Sequence, residues 1–429
     1  MMLEEKRIKI SVVMPIYNAC KYLRDSICSV QKQTMQELEL LCVDDGSTDD
    51  SYKILQELQK TDERIRIFRQ KNQGAGIARN LALKCALGHF VCFLDADDYW
   101  IDREALEKLY KAAIEKKVNI CGGQFYIDRD GEINAVNIYG KCNLDLQGGK
   151  LISYSDYQYD YHYQNYIYER KFLLEQQILF PNYNRGEDMI FFVRAMSEAK
   201  VFYIVNVPFY CYRIELKKIN YDEKKMSDFM QGIQDNLQFS AQKGLKKLHM
   251  LTYHRMFETC NRQFQAFILQ ENPILVQKLN EINMFVKWEW LEEKCEITRK
   301  RLKSLADMQK AIKSQFLDSN RNETEKWLLP SEYLNKNSKI ALYGAGDVGS
   351  SYFRQIKKNE NYFLCAWADK NYQKILITDY NLISPEQLLN IDFDILLIGV
   401  AEIEMAMDIM DDLTELGIPA QKLVWDIGR

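Results

Sequence analysis

The chain has 429 residues, of which 47% are hydrophobic and 28% charged, and its formal net charge at pH 7 is -4. This length exceeds one ordinary core and predicts two or three domains. The small negative charge argues against nucleic acid as a partner. The 11 cysteines include no Cys-x-x-Cys pair, which is typical of buried thiols in a reducing compartment. There is no run of about 18 apolar residues, so the sequence predicts a cytoplasmic protein, at most resting on the inner face of the membrane.

The first half of the chain alternates predicted strands and helices. Apolar strands are predicted over 8–16 and 38–43, each followed by an amphipathic helix, and a third over 65–69 leads into a glycine-containing loop. This order predicts a parallel sheet with right-handed crossovers. Ligands of such sheets bind at the carboxyl ends of the strands. Because polar residues follow each predicted strand, we expect a ligand at this edge.

A strand predicted over 90–94 ends in an acidic turn. Asp95, Asp97 and Asp98 follow it directly. Carboxylates so close repel one another and a divalent cation offsets that repulsion, with all-oxygen ligation favouring Mg²⁺ or Mn²⁺ over zinc. A solvated turn that caps the next helix, which begins near Asp102, explains the same residues equally well.

The loop at 72–76 contains Gly74 and Gly76 and opens a predicted helix that includes Arg79. Two glycines ahead of a helix N-terminus let backbone amides approach an anion. A glycine-permitted turn without a ligand is an equally good explanation of this loop taken alone.

Four segments in this order resemble the motifs of family 2 glycosyltransferases, which have the GT-A fold. They are SVVMPIYN at 11–18, VDDGSTD at 43–49, NQGAG with the following Arg-Asn at 72–80, and FLDADD at 93–98. The resemblance covers residues 8–215. It implies a domain that binds a nucleotide-sugar donor.

The resemblance implies the residues of a donor site. Its nucleotide-binding residues would be Pro15, Tyr17, Asp45, Gly74, Arg79 and Asp95. Pro15, Tyr17 and Asp45 match positions that hold the base, usually uracil. Asp95 matches a position near the ribose, and Asp97 matches the carboxylate that ligates Mn²⁺ or Mg²⁺ on the donor diphosphate. Such an ion stabilises the charge that a leaving diphosphate develops.

Glu187 and Asp188 begin a helix predicted from its apolar face. Acids at a helix N-terminus are stabilised by the helix dipole, so capping alone explains them. The pair also resembles the Glu-Asp pair of the family. The resemblance then implies a general base for the acceptor hydroxyl, with Asp188 favoured over Glu187.

The middle of the chain carries two weaker patterns. Tyrosine is frequent between 122 and 181, where the acceptor loops of the family lie, and these rings suit either sugar stacking or a core. Helix formers dominate 221–330, which predicts a helical connector. Basic residues in it suit peripheral contact with an anionic membrane or only a solvated helix face. They are Lys243, Lys246, Lys247, Arg299, Lys300, Arg301 and Lys303.

Residues 331–429 are predicted to form half of a dinucleotide-binding fold. Gly344, Gly346 and Gly349 follow a predicted strand in the spacing of the dinucleotide fingerprint. Asp369 lies about 20 residues beyond them, where an acid binds a ribose hydroxyl. The half-fold resembles the small nucleotide-sugar-binding domain ahead of bacterial sugar acyltransferases, which implies a second nucleotide site at these four residues. A Rossmann-like domain that binds nothing explains the pattern too.

Together the patterns predict an α/β protein with a GT-A domain over 1–220, a helical connector over 221–330 and a half-Rossmann domain over 331–429. The leading hypothesis is an inverting, metal-dependent glycosyltransferase. Its partners would be a nucleotide-sugar donor, most often a UDP-sugar, and a hydroxyl of a polysaccharide or lipid-linked glycan precursor. Two alternatives are an NAD-dependent sugar oxidoreductase or epimerase acting through the C-terminal domain, and a nucleotide-sugar-binding protein without catalysis.

Overall fold

The computed structural model describes residues 8–129, 131–139, 149–214, 222–258, 272–292, 327–373 and 380–426. Contacts divide the chain into two compact units, Met1–Leu248 and His249–Arg429. Each unit has a sheet of its own, as the α/β prediction requires. The predicted domain boundaries at 220 and 330 stay predictions.

The first unit is built around a ten-stranded mixed sheet. Its elements in chain order are β1 (Ile10–Ile16), α1 (Leu23–Gln31), β2 (Leu38–Asp44), α2 (Ser51–Gln59), β3 (Ile65–Arg69), α3 (Ala75–Cys85), β4 (Phe90–Phe93), β5 (Tyr99–Trp100), α4 (Ala105–Lys116), β6 (Ile120–Arg129), β7 (Glu132–Val136), β8 (Lys150–Ser153), α5 (Tyr154–Tyr157), β9 (Tyr166–Glu169), α6 (Arg170–Glu175), α7 (Glu187–Ala199), β10 (Val201–Ile214) and α8 (Glu223–Lys243). The strand order is β3-β2-β1-β4-β9-β6-β10-β5, with β7 beside β6 and β8 beside β10. Strands β3, β2, β1 and β4 are parallel, as predicted, and β9 is antiparallel to both of its neighbours.

The parallel strands bring the predicted motifs to one edge of the sheet. β1 and β2 are buried along their whole length, which suits apolar and β-branched strands covered on both faces. Ile16 pairs with Asp44 and Val13 pairs with Phe93, so β1, β2 and β4 end near one another. The residues that follow these strands therefore meet at the carboxyl edge, where ligands of such sheets bind.

The tyrosine-rich stretch packs into the core. The rings of Phe180 and Phe191 stack with centroids 4.0 Å apart, and Phe93 and Tyr163 meet both rings edge-on. Seven tyrosines of the stretch are buried: Tyr139, Tyr154, Tyr157, Tyr159, Tyr163, Tyr166 and Tyr168. A buried ring has no exposed face on which a sugar could stack, so the core explanation is correct for these seven.

The second unit contains a four-stranded parallel sheet. The described elements from α9 onward are, in chain order, α9 (Lys246–Glu258), α10 (Pro273–Asn283), α11 (Trp288–Glu292), β11 (Ser338–Tyr343), α12 (Asp347–Lys358), β12 (Tyr362–Ala368), β13 (Ile395–Ile398), α13 (Ile403–Leu416) and β14 (Leu423–Val424). The strand order β12-β11-β13-β14 confirms a second parallel-sheet domain. The predicted basic residues at 299–303 lie outside the described residues. Within the described ranges, no helix is long and apolar enough to cross a membrane.

Candidate active site

The acidic turn after β4 holds its three carboxylates in different surroundings. Asp98 is buried and accepts hydrogen bonds from Tyr210 Oη at 2.6 Å and from Arg213 N at 2.8 Å. Burial and the charges of Asp95 and Asp97 raise the pKa of Asp98 well above its ordinary value. Asp98 thus anchors the turn to β10, whereas Asp97 is the exposed carboxylate of the three.

Asp95 is held from three sides. Its Oδ1 accepts a hydrogen bond from Arg79 Nη2 at 2.9 Å and one from Tyr163 Oη at 3.3 Å. Its Oδ2 accepts from Gln164 Nε2 at 3.3 Å. Asp95 is half-buried, so these bonds orient its carboxylate at the edge of the sheet.

Arg79 joins the acidic turn to the start of α7. Its guanidinium is buried, with Nη2 on Asp95 and Nη1 3.0 Å from Glu187 Oε1. The rings of Tyr163 and Phe180 lie 5.0 and 5.2 Å from the guanidinium carbon. A planar guanidinium can bind two carboxylates at once, because its N–H donors point in fixed, diverging directions. The predicted contact of Arg79 with the donor nucleotide stays a prediction, and its observed partners are protein carboxylates.

Glu187 and Asp188 form the first turn of α7. Burial and the charge of Asp188 raise the pKa of Glu187, against the opposing effect of Arg79. Asp188 is half-buried, and among the described residues its carboxylate has no hydrogen bond or ion pair. Because Arg79 engages Glu187, Asp188 is the acid of this pair that is available to a substrate.

The end of β1 is tied to the loop after β2. Asn18 N donates to Ser47 Oγ at 3.1 Å, and Asn18 Oδ1 accepts from Thr48 N at 2.8 Å. Pro15 is buried within β1, and the side chain of Tyr17 is 53% exposed at the same edge. Tyr17 is therefore placed where a ligand could contact it.

Asp45 holds the glycine loop. Its Oδ1 accepts hydrogen bonds from Gln70 Nε2 at 2.7 Å and from Gln73 N at 2.9 Å, and its Oδ2 accepts from Gly74 N at 2.8 Å. Gly74 has a φ of 92°, a left-handed conformation that favours glycine. Asp45 thus orders this loop, and its predicted contact with the base stays a prediction.

The acidic turn fits a divalent cation held partly by a substrate. No cluster of three or more potential metal ligands occurs in the described part of the chain. Mg²⁺ is commonly bound through one or two carboxylates together with substrate phosphates and water. Asp97 offers an exposed carboxylate, and Asp95 lies beside it in the same turn. Burial and the carboxyl groups of the acidic turn raise the pKa of the nearby Tyr212 to about 12.

Several residues that shape the site escape prediction from sequence. Tyr163 and Tyr210 contact the acidic turn from 68 and 115 positions away. Asn80 Nδ2 donates to Phe180 O at 2.7 Å, and Phe180 N donates back to Asn80 Oδ1 at 3.0 Å. Asn80 had a signal in the sequence, because it ends the family-like segment at 72–80. The two tyrosines have no local signal, because each lies in a segment with several other tyrosines or aromatic residues.

The second predicted nucleotide site lies in the second unit. Gly344 has a φ of 93°, and a Cβ on Gly349 would lie 1.9 Å from Gly344 O. These glycines are therefore needed for the turn and for close packing of α12. A Cβ on Gly346 would meet only open space. Asp369 Oδ2 accepts from Ala345 N at 2.7 Å, so this carboxylate is bonded to the glycine turn itself.

Comparison with known proteins agrees with this architecture. The family model for glycosyl transferase family 2 matches residues 11–174, and a model named C2185-like, N-terminal, matches residues 336–424. The crystal structure of S. aureus TarS 1-349 in complex with UDP-GlcNAc superposes with a TM-score of 0.61 over 75% of this chain and 94% of that one. The two are 20% identical, so this likeness shows the fold alone.

Two relatives are similar to this chain in sequence. Glycosyltransferase GlyA of Streptococcus pneumoniae is 30% identical over 273 residues, which are 60% of this chain and only 38% of GlyA. An uncharacterized glycosyltransferase of Haemophilus influenzae is 33% identical over 196 residues, which are 44% of this chain and 73% of that protein. With the first family model and the GT-A-like first unit, these matches show that the chain belongs to glycosyl transferase family 2.

Proposed function

We propose that this protein is an inverting, metal-dependent glycosyltransferase that moves a sugar from a UDP-sugar to a hydroxyl of a polysaccharide or lipid-linked glycan precursor. The observation that carries the proposal is the bridge from Asp95 through Arg79 to Glu187. It brings the acids proposed for the donor and the acid pair proposed for the acceptor into one site. The UDP-GlcNAc complex of TarS, which has a similar fold, supports the choice of donor.

In this proposal the donor lies along the carboxyl edge of β1, β2 and β4. Tyr17 and Asp45 border the base, Asp95 lies near the ribose, and Asp97 holds the cation on the diphosphate. A bound Mn²⁺ or Mg²⁺ would stabilise the negative charge of the leaving diphosphate. The exposed position of Asp97 supports its role, because an exposed carboxylate can ligate a cation that a substrate phosphate also binds.

The acceptor reacts in a single displacement. Asp188 takes the proton of the acceptor hydroxyl while that oxygen forms a bond to the anomeric carbon. The bond from the anomeric carbon to the diphosphate breaks on the opposite face, and the electron pair leaves with the diphosphate. The anomeric centre is therefore inverted. Asp188 is preferred to Glu187 as the base because Glu187 is engaged by Arg79.

A second nucleotide site in the second unit is a separate proposal, supported by the glycine turn before α12. Asp369 Oδ2 already accepts a hydrogen bond from Ala345 N, which weighs against Asp369 as a ligand of a ribose hydroxyl. Titration of the full chain with NAD and with UDP-sugars, in wild type and Gly346→Val, tests this proposal. A Val side chain would fill the open space before Gly346, so binding at this turn should be lost. Tight NAD binding would favour the oxidoreductase alternative.

Donor turnover tests the proposed function. The purified protein is incubated with Mn²⁺ or Mg²⁺ and a panel of nucleotide-sugars, and release of nucleoside diphosphate is followed. We expect slow release from one UDP-sugar that stops when the metal is chelated. Co-sedimentation with anionic vesicles separately tests peripheral contact with an anionic membrane. An absence of release from every donor, with no protection from thermal unfolding by UDP and metal, would contradict the proposal.

A further inference from the structure

Helix α8 packs against the loop that precedes Glu187 and Asp188. The Asp228 carboxylate accepts a hydrogen bond from Asn184 N at 2.9 Å, and Asp235 Oδ2 accepts one from Tyr183 Oη at 2.8 Å. Positions 228 and 235 are separated by about two helical turns, so both carboxylates face the loop. Burial and the hydrogen bond to Asp235 raise the pKa of Tyr183.

Each of these carboxylates is also supported by its own helix. Lys224 Nζ donates to Asp228 Oδ1 at 2.6 Å, and Gln231 Nε2 donates to Asp235 Oδ1 at 2.9 Å. In both acids one oxygen is bonded to α8 and the other to the loop. Asp228 is 4% exposed, so this carboxylate is largely removed from water.

The backbones of α8 and the loop approach closely between the two acids. A Cβ on Gly232 would lie 3.3 Å from Gly186 O, and a Cβ on Gly186 would lie 3.6 Å from the Cα of Phe229. Gly186 has a φ of 83°, which favours glycine. This contact places the residue immediately before Glu187 against the helix.

The same segment is held at both ends by α3. Asn80 makes two hydrogen bonds to the backbone of Phe180, and Arg79 pairs with Glu187. A Cβ on Gly74 would lie 3.5 Å from Asn184 Oδ1, so the loop also passes close to the donor-side glycine turn. Between these two ends, the segment is held by Asp228 and Asp235 of α8.

We propose that α8 is a positioning element of the transferase site, in which Asp228 and Asp235 hold loop 183–186 and thereby set the place of the Asp188 carboxylate. This inference rests on the proposed function, in which Asp188 is the base. It assigns a role to a helix that lies beyond the family match, which ends at residue 174. The sequence pattern alone predicts this helix as part of the connector over 221–330.

Three variants and one control variant test the proposal. Asp228→Ala removes the acceptor for Asn184 N, whereas Asp228→Asn keeps an oxygen that can still accept this bond. Glu198→Gln is the matched control, because it removes the exposed ion pair between Glu198 and Lys243 at the far end of α7 and α8. Tyr183→Phe removes only the hydroxyl that donates to Asp235, and it tests the proposal if Asp228→Ala does not fold.

The expected result is a loss of kcat without a loss of donor affinity. Misplacement of a reacting group by an ångström costs about a hundredfold, so kcat for donor turnover should fall about ten- to a hundredfold in Asp228→Ala. The KM for the donor should stay unchanged, Asp228→Asn should recover most of the rate, and Glu198→Gln should match wild type. Backbone amides of 183–188 should exchange hydrogen faster in Asp228→Ala, and those of 72–76 should not.

The proposal is overturned if Asp228→Ala keeps the wild-type kcat, or if kcat falls only in proportion to the folded fraction. It is also overturned if amide exchange of 183–188 does not change. Failure of the proposed function looks different, because wild-type protein would then turn over no donor. The exchange measurement needs no turnover, so it still decides whether α8 holds the loop.

Discussion

Arg79 is the residue that joins the two acidic parts of the candidate site. It is buried with two carboxylates, Asp95 and Glu187, and its guanidinium carbon lies 5.0 and 5.2 Å from the centres of the Tyr163 and Phe180 rings. Removing one partner from a buried ion pair leaves an uncompensated charge and costs about 3–5 kcal/mol. Here two carboxylates would lose their common partner, so the cost should affect both stability and the shape of the site.

We expect Arg79→Ala to lower the free energy of unfolding by about 3–5 kcal/mol in urea denaturation. Arg79→Lys should keep much of this stability but lose most donor turnover, because one ammonium cannot reproduce the fork that spans both carboxylates. Arg24→Lys is a control, since its pair with Glu57 is exposed. Wild-type turnover in Arg79→Lys would show that the bridge does not order the site.

At the level of elements, α3 connects the glycine loop to the segment before α7. A Cβ on Gly76 would lie 3.0 Å from Pro181 O and 3.1 Å from Glu187 Cγ. The small residue therefore lets α3 approach this segment closely, and Arg79 and Asn80 reach their partners from the same helix. The position of Glu187 depends on this approach.

We expect Gly76→Ala to reduce donor turnover although alanine favours a helix by up to about 1 kcal/mol over glycine. The added methyl group should displace Glu187 and with it Asp188. Lys84→Ala, at an exposed position of the same helix, should leave turnover unchanged. Steady-state kinetics and thermal unfolding of both variants check this, and unchanged kcat in Gly76→Ala would contradict it.

The elements also show how far the sequence could predict the site. The strands and glycine turns were predictable because apolar periodicity and glycine spacing are local signals. The bonds from Tyr163 to Asp95 and from Tyr210 to Asp98 were not, because the turn before β9 and strand β10 bring these rings in from far along the chain. The place of α8 beside α7 and loop 183–186 escaped prediction for the same reason.

At the scale of the whole molecule, each unit has its own sheet, which is mixed in the first unit and parallel in the second. The second unit buries two apolar clusters, one around Leu396 and Leu413 and the other around Leu342 and Trp367. The glycine turn of this unit is close-packed, since a Cβ on Gly399 would lie 2.6 Å from the Cα of Gly349. Its glycines are thus explained by packing, whether or not a nucleotide binds.

We expect Gly399→Ala to destabilise the second unit by about 1–3 kcal/mol through overpacking against backbone atoms. Proteolysis of the full chain should then release fragments from 331–429 at lower temperature than in wild type. Gly244→Ala is not a suitable control, because its φ of 72° adds strain. Ser350→Ala, on the half-buried side of α12, is the control, and equal protease resistance of both variants would contradict the expectation.

The central claim is that Asp97 serves the donor and Asp188 the acceptor. The most direct measurement compares Asp97→Asn and Asp188→Asn for metal-dependent UDP affinity and for donor turnover in the same preparation. We predict that Asp97→Asn loses the metal-dependent part of UDP affinity. Asp188→Asn should bind UDP as wild type does and lose about a hundred- to ten-thousandfold in turnover, the usual contribution of a general base. Wild-type turnover in Asp188→Asn, or unchanged metal-dependent affinity in Asp97→Asn, would contradict the account.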